Sequence, residues 1–120
     1  MKIKGAINVT MSKPQLRALY MASKLESERY KSITLSDQTD QIKALYTGMS
    51  KVWDWINFSD PDQKPFVNRM EWESLLFAVK VELFRYKDFP VRHLRGDLMD
   101  LDDVSVNIEQ ALMSERKVTA

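Results

Sequence analysis

Residues 65–86 read PFVNRMEWESLLFAVKVELFRY. At 3.6 residues per turn this stretch spans about six turns of helix. Pro65 suits a first turn, where its missing N–H is not needed. Pro90 supplies the stop expected shortly past the end. A surface helix usually carries one apolar stripe of roughly 100°. This one carries two. The first runs Phe66, Met70, Phe77, Val81, Phe84, and the second runs Trp72, Leu75, Leu76, Val79, Leu83, Tyr86.

Two readings fit that pattern. In one, the helix is central and both stripes meet other helices of the same chain. In the other, one stripe builds the core. The second stripe (Trp72, Leu75, Leu76, Val79, Leu83 and Tyr86, with Arg85 beside it) then meets a protein partner or a second copy. Large exposed apolar patches mark such surfaces, and Trp, Tyr and Arg are the side chains that dominate them energetically.

The surrounding chain supports a mostly α domain of about four helices, expected near 13–31, 39–57, 65–87 and 99–115. At 120 residues it is one domain, large enough to bury a core without staples. Hydrophobic residues make up 44% and charged residues 29%, which separates it from disordered chains. It has no cysteine, hence no disulfide, thiolate metal site or cysteine nucleophile. No apolar run approaches membrane-spanning length. The first ten residues lack the apolar core of a secretory signal, so a cytoplasmic location is expected.

Before the first helix, residues 1–11 alternate. Met1, Ile3, Gly5, Ile7, Val9 and Met11 fall on one side and mostly polar residues on the other. Period two is the pattern of a β-strand. With no obvious mate elsewhere, it is either a strand paired in a dimer or to a short return strand, or an extended arm over the helices. Ser12 then offers an N-cap, Pro14 a first turn, and Gln15 the third residue of a capping box. Leu16, Leu19, Ala22, Ser23 and Tyr30 share one face of the helix that follows. Ser36 and Thr39 are the candidate caps of the second helix. Its stripe reads Ile42, Leu45, Tyr46, Met49, Val52, Trp53, Ile56, interrupted by Gly48. Residues 57–65, NFSDPDQKP, form a turn by composition. After the central helix, residues 87–97 read as an irregular connector. The last helix opens with Asp97, Asp100, Asp102 and Asp103, acids that suit a helix N-terminus. The tail 117–120 is expected to fray.

Charge is uneven. Residues 1–32 hold seven basic and two acidic side chains, a net +5; the other 88 hold eleven basic and fifteen acidic, a net −4. On the first helix Lys13, Arg17, Lys24 and Lys31 line one strip with Tyr20 and Ser27 among them. Such a ridge can follow a phosphate backbone, and its tyrosine can stack on a base. Most charge rows at this spacing are solvated faces, and no helix-turn-helix pattern accompanies this one. The single histidine, His93, stands between Arg92 and Arg95, ahead of Asp97. That group can hold an anion or move a proton, although arginines in a polar loop more often meet nearby acids.

No nucleotide-binding glycine motif and no nucleophile elbow is present. The run DLMDLDD lacks the spacing of a calcium loop, and one histidine without cysteine does not make a zinc site. No cofactor or metal is therefore expected. The leading expectation is a small non-catalytic interaction or regulatory protein, an inhibitor or adaptor for instance. It would bind a protein partner or itself as a homodimer through an apolar helix face. The alternative is a nucleic-acid-associated regulator using the basic ridge.

Overall fold

The structure is a computed structural model, and it describes residues 7, 9–58, 65–86 and 95–119. Four helices account for most of it: α1 Lys13–Glu28, α2 Asp40–Asn57, α3 Arg69–Tyr86 and α4 Arg95–Thr119. A single 3-10 turn, Leu35–Asp37, lies between α1 and α2.

The helix starts follow from local hydrogen bonding. Ser12 caps α1 with Pro14 in the first turn. Its hydroxyl accepts from the Gln15 N–H at 3.3 Å, and the Ser12 N–H donates to Gln15 Oε1 at 3.0 Å. This reciprocal box satisfies two of the amides a helix start leaves free. Thr39, not Ser36, caps α2 through the Ile42 N–H. Pro65 stays outside α3. Asn68 and Glu71 form the reciprocal pair there: Glu71 N–H donates to Asn68 Oδ1 and Asn68 N–H to Glu71 Oε1, both at 2.8 Å. The Asn-x-x-Glu spacing was the signal for this start, and it outweighs the proline.

At the other end of the chain, α4 begins at Arg95 and reaches Thr119. The acids 100, 102 and 103 therefore sit inside the helix rather than at its start, and the tail is helical to residue 119.

The sequence-adjacent helices run antiparallel. Tyr46 Oη donates to the Ser27 carbonyl across α1 and α2, while Tyr20 meets Trp53 further along. Ser74 Oγ donates to the Gln41 carbonyl across α2 and α3, while Trp55 packs edge-on to Trp72. Lys80 bridges to Glu109 across α3 and α4. Helices α1 and α3 each touch all three others. Among the described residues α2 and α4 do not meet. The section is thus a diamond whose short diagonal is α1–α3.

That diagonal fills the core. Leu16, Leu19 and Ala22 of α1 and Trp72, Leu75, Ala78 and Val79 of α3 are buried together, joined by Leu45, Val52 and Trp55 of α2 and Leu101, Val104, Ile108 and Leu112 of α4. The buried arc of α2 lies one residue away from the expected stripe. Ala44, Gly48 and Trp55 face inward and Trp53 faces out. The reason is at Gly48, where an added Cβ would lie 3.2 Å from the Leu75 side chain and 3.4 Å from Glu71 Cβ. Small residues let α2 approach α3 closely, and the helix turns to use them.

There is no strand among the described residues. Val9 is buried and Ile7 and Met11 pack against the core, so this part of the N-terminus is an arm over the helices. Residues 1–6 and 8 of the expected strand lie outside the described residues.

Candidate protein-docking face

The two stripes of α3 have opposite fates. Trp72, Leu75 and Val79 are at most 2% exposed, and Leu76 and Leu83 are half-buried against the same core. The stripe expected to meet a partner is this chain's own interior. Arg85 is exposed and bonds to Glu82 on its own helix at 3.3 Å. Tyr86 ends α3, and its side chain is outside the described residues. Contact with three helices demands an arc much wider than one stripe, and the second stripe is the part that faces them.

The first stripe is the outer one. Phe84 is 77% exposed, Phe77 57%, Phe66 48% and Met70 47%. Val81 is half-buried at its edge. Glu73 and Lys80 flank the row. Arg69 Nε lies 2.9 Å from Glu73 Oε1, and Lys80 reaches Glu109 of α4. Beside this row α4 exposes Met99, Val106 and Met113, again seven residues apart. A groove of about 480 Å³ lies between α3 and α4, with Leu76, Leu112 and Met113 among its walls. Two phenylalanines and three methionines uncovered on two adjacent helices, with Val106 among them, are the kind of apolar surface that marks a contact site. Methionine adapts its shape to whatever it meets.

The inner face of α3 holds polar groups that the sequence did not single out. Glu71, Ser74 and Glu82 are buried there. Glu71 is satisfied twice, by the capping bond and by Lys51 Nζ at 2.7 Å. Glu82 has only Arg85, and its Oε2 has no hydrogen-bond partner. On α1, buried Glu26 accepts from Tyr30 Oη at 2.7 Å, while its Oε2 has only Arg29 Nε at 3.7 Å. Burial pushes the Tyr30 phenol above its ordinary value, and the bond to Glu26 adds to that shift. Glu26 and Tyr30 line a cleft of about 440 Å³ between α1, α2 and α3, with Glu73 and Phe77 at its other side.

The basic residues Lys13, Arg17 and Lys24 of α1 are solvent-facing, and so is Lys31, which lies in the turn after α1 because the helix ends at Glu28 rather than near 31. Lys31 is bridged to Glu28 at 3.2 Å. Among the described residues, Lys13, Arg17 and Lys24 are in no ion pair. Tyr20 leans on Trp53 of α2 with ring centroids 5.0 Å apart, so a half-exposed indole adjoins the ridge. Arg92 and His93 lie outside the described residues. Arg95 and Asp97 open α4, and their side chains are outside the described residues as well.

Among the described residues, no group of three or more His, Cys, Asp or Glu side chains could hold a metal ion, and no helix is long and apolar enough to cross a membrane. The chain matches no protein-family model, no curated protein and no solved structure.

Proposed function

We propose that this is a non-catalytic interaction protein that docks a protein partner on the outer face of α3 and the adjoining flank of α4. The observation that carries the reading is the uncovered row Met70, Phe77, Phe84. Leaving several large apolar side chains in water forgoes about 1.5–3 kcal/mol each that burial would supply. A partner surface recovers it. Rows at seven-residue spacing suit a helix laid alongside, since that repeat keeps side chains on one seam.

The test places a photo-crosslinking benzoylphenylalanine at Phe84 and, as a control, at exposed Lys43. The expected result is a discrete adduct with a polypeptide from position 84 only, lost on Phe77→Asp. Equal or absent adducts at the two positions contradict the reading.

A second reading has one specific support, the Trp53–Tyr20 pair beside Arg17 and Lys24. An aromatic platform flanked by free cations suits single-stranded nucleic acid. On this reading, a double reversal, Arg17→Glu with Lys24→Glu, abolishes binding to an oligonucleotide, and wild-type affinity falls steeply with salt. Salt-independent binding, or none, removes it.

A further inference from the structure

We propose that the occupant of this face is a second copy of the chain, its α3 antiparallel to the first about a two-fold axis at Phe77. The inference rests on the outer face of α3 being a docking surface, and it names what docks there.

The row is self-complementary. Met70 lies seven residues before Phe77 and Phe84 seven residues after it. A strict seven-residue repeat keeps the seam facing its partner as two helices wind around each other. In an antiparallel pair centred on residue 77, Phe77 meets its own copy, and Met70 meets Phe84 of the copy at both ends. These are an aromatic pair and two sulfur–aromatic pairs, both favourable contacts. A two-fold interface requires this: each residue's counterpart must suit it in both directions.

The charges obey the same symmetry. Glu73 stands four residues before the axis and Lys80 three after it, on the same flank of α3. Antiparallel pairing therefore brings Glu73 of each copy beside Lys80 of the other. Each is already held within its own chain, Glu73 by Arg69 and Lys80 by Glu109. The pair thus forms a line of alternating sign: Arg69, Glu73, then Lys80 and Glu109 of the copy. A parallel pairing would turn this flank toward the copy's other flank, which carries Ser74 and Val81 and offers neither charge a partner. The pattern selects the antiparallel one, which is what charged flanks do at helix seams.

Sedimentation velocity over the micromolar range tests this with charge reversals. The wild type is expected to dimerise. Glu73→Lys and Lys80→Glu each place like charges together twice per dimer and weaken it by about tenfold or more. An equal mixture of the two variants pairs Lys with Glu at both positions, so it forms a heterodimer tighter than either homodimer. Circular dichroism checks that each variant is folded. If a reversal unfolds the chain, Phe77→Ser serves instead. It sits on the axis and is more than half exposed, so it should keep the thermal midpoint of the wild type at concentrations where both are monomeric, and weaken the dimer about a hundredfold.

A wild type that is monomeric throughout overturns the inference. So does a dimer that none of these variants weakens, or a mixture no tighter than its components. A monomer whose Phe84 crosslinker still joins a different polypeptide refutes self-pairing and leaves the docking face standing. A monomer with no adduct refutes both.

Discussion

The inner and outer faces of α3 are about equally apolar, yet one is core and the other is surface. Inside are Trp72, Leu75, Ala78 and Val79, interspersed with Glu71, Ser74 and Glu82. Outside are Met70, Phe77 and Phe84. The larger apolar side chains are mostly on the outer side, and the inner side holds two carboxylates. Hydrophobicity therefore did not choose which face went in. Shape contributes: Gly48 lets α2 approach the Leu75 and Glu71 side of α3, where an added Cβ would crowd Leu75 at 3.2 Å.

The sharpest way to break this contrast is to truncate one leucine and one phenylalanine. Leu75→Ala removes a fully buried side chain and should lower stability by about 2–5 kcal/mol in denaturant unfolding. Phe84→Ala, on the same helix, should change monomer stability by about 0.5 kcal/mol or less. Equal losses would mean that the outer row is packed.

A smaller effect separates the two buried glutamates of the inner face. Glu71→Ala removes the α3 capping bond and strands Lys51, and should be destabilising by about 2–3 kcal/mol. Glu82→Leu deletes a carboxylate with an unpartnered oxygen, and should leave stability unchanged or raise it. Thermal unfolding of the two variants, side by side, gives the sign of each.

Smaller again is the effect expected at Tyr30 and Glu26. The Tyr30 phenol is raised in the folded chain above its ordinary value near 10.0. Folding therefore favours the protonated phenol. That contribution is fully present below the unfolded value and is lost as pH rises from there through the folded value. Stability should fall in this alkaline window, and Tyr30→Phe should flatten the fall. It should also remove about 1–2 kcal/mol at neutral pH, because the Glu26 carboxylate loses its closest donor. An unchanged alkaline slope would place the phenol in water.

Smallest of all is Gly48→Ala. Helix propensity favours alanine by about 1 kcal/mol. The new methyl would crowd the fully buried Leu75, at about 1–3 kcal/mol. A modest net loss is expected in the same unfolding experiment; a net gain would mean that Leu75 has room to move.

Much of the fold was legible because its signals are local. Ser12, Pro14 and Gln15 fix the start of α1 within one turn, and Leu16, Leu19, Ala22 and Ser23 are the buried face their spacing describes. The candidate site was legible only in outline. Two apolar stripes on α3 could be read, but which one faces outward depends on residues far away in sequence, above all Gly48. The same cause turned α2, putting Trp55 in and Trp53 out. The inner carboxylates were missed because a glutamate written in a helix looks the same whether Lys51 or water answers it.

On the proposed reading, the outer face of α3 is open in the single chain and covered in an assembly. Hydroxyl-radical footprinting read by mass spectrometry, at a dilute and a concentrated setting, tests it directly. At low concentration Met70, Phe77 and Phe84 should label strongly and Trp72 weakly. At high concentration the first three should become protected, while Met21 and Trp53, exposed on α1 and α2, keep labelling. Labelling of Met70, Phe77 and Phe84 that is strong and identical at both concentrations would contradict the claim.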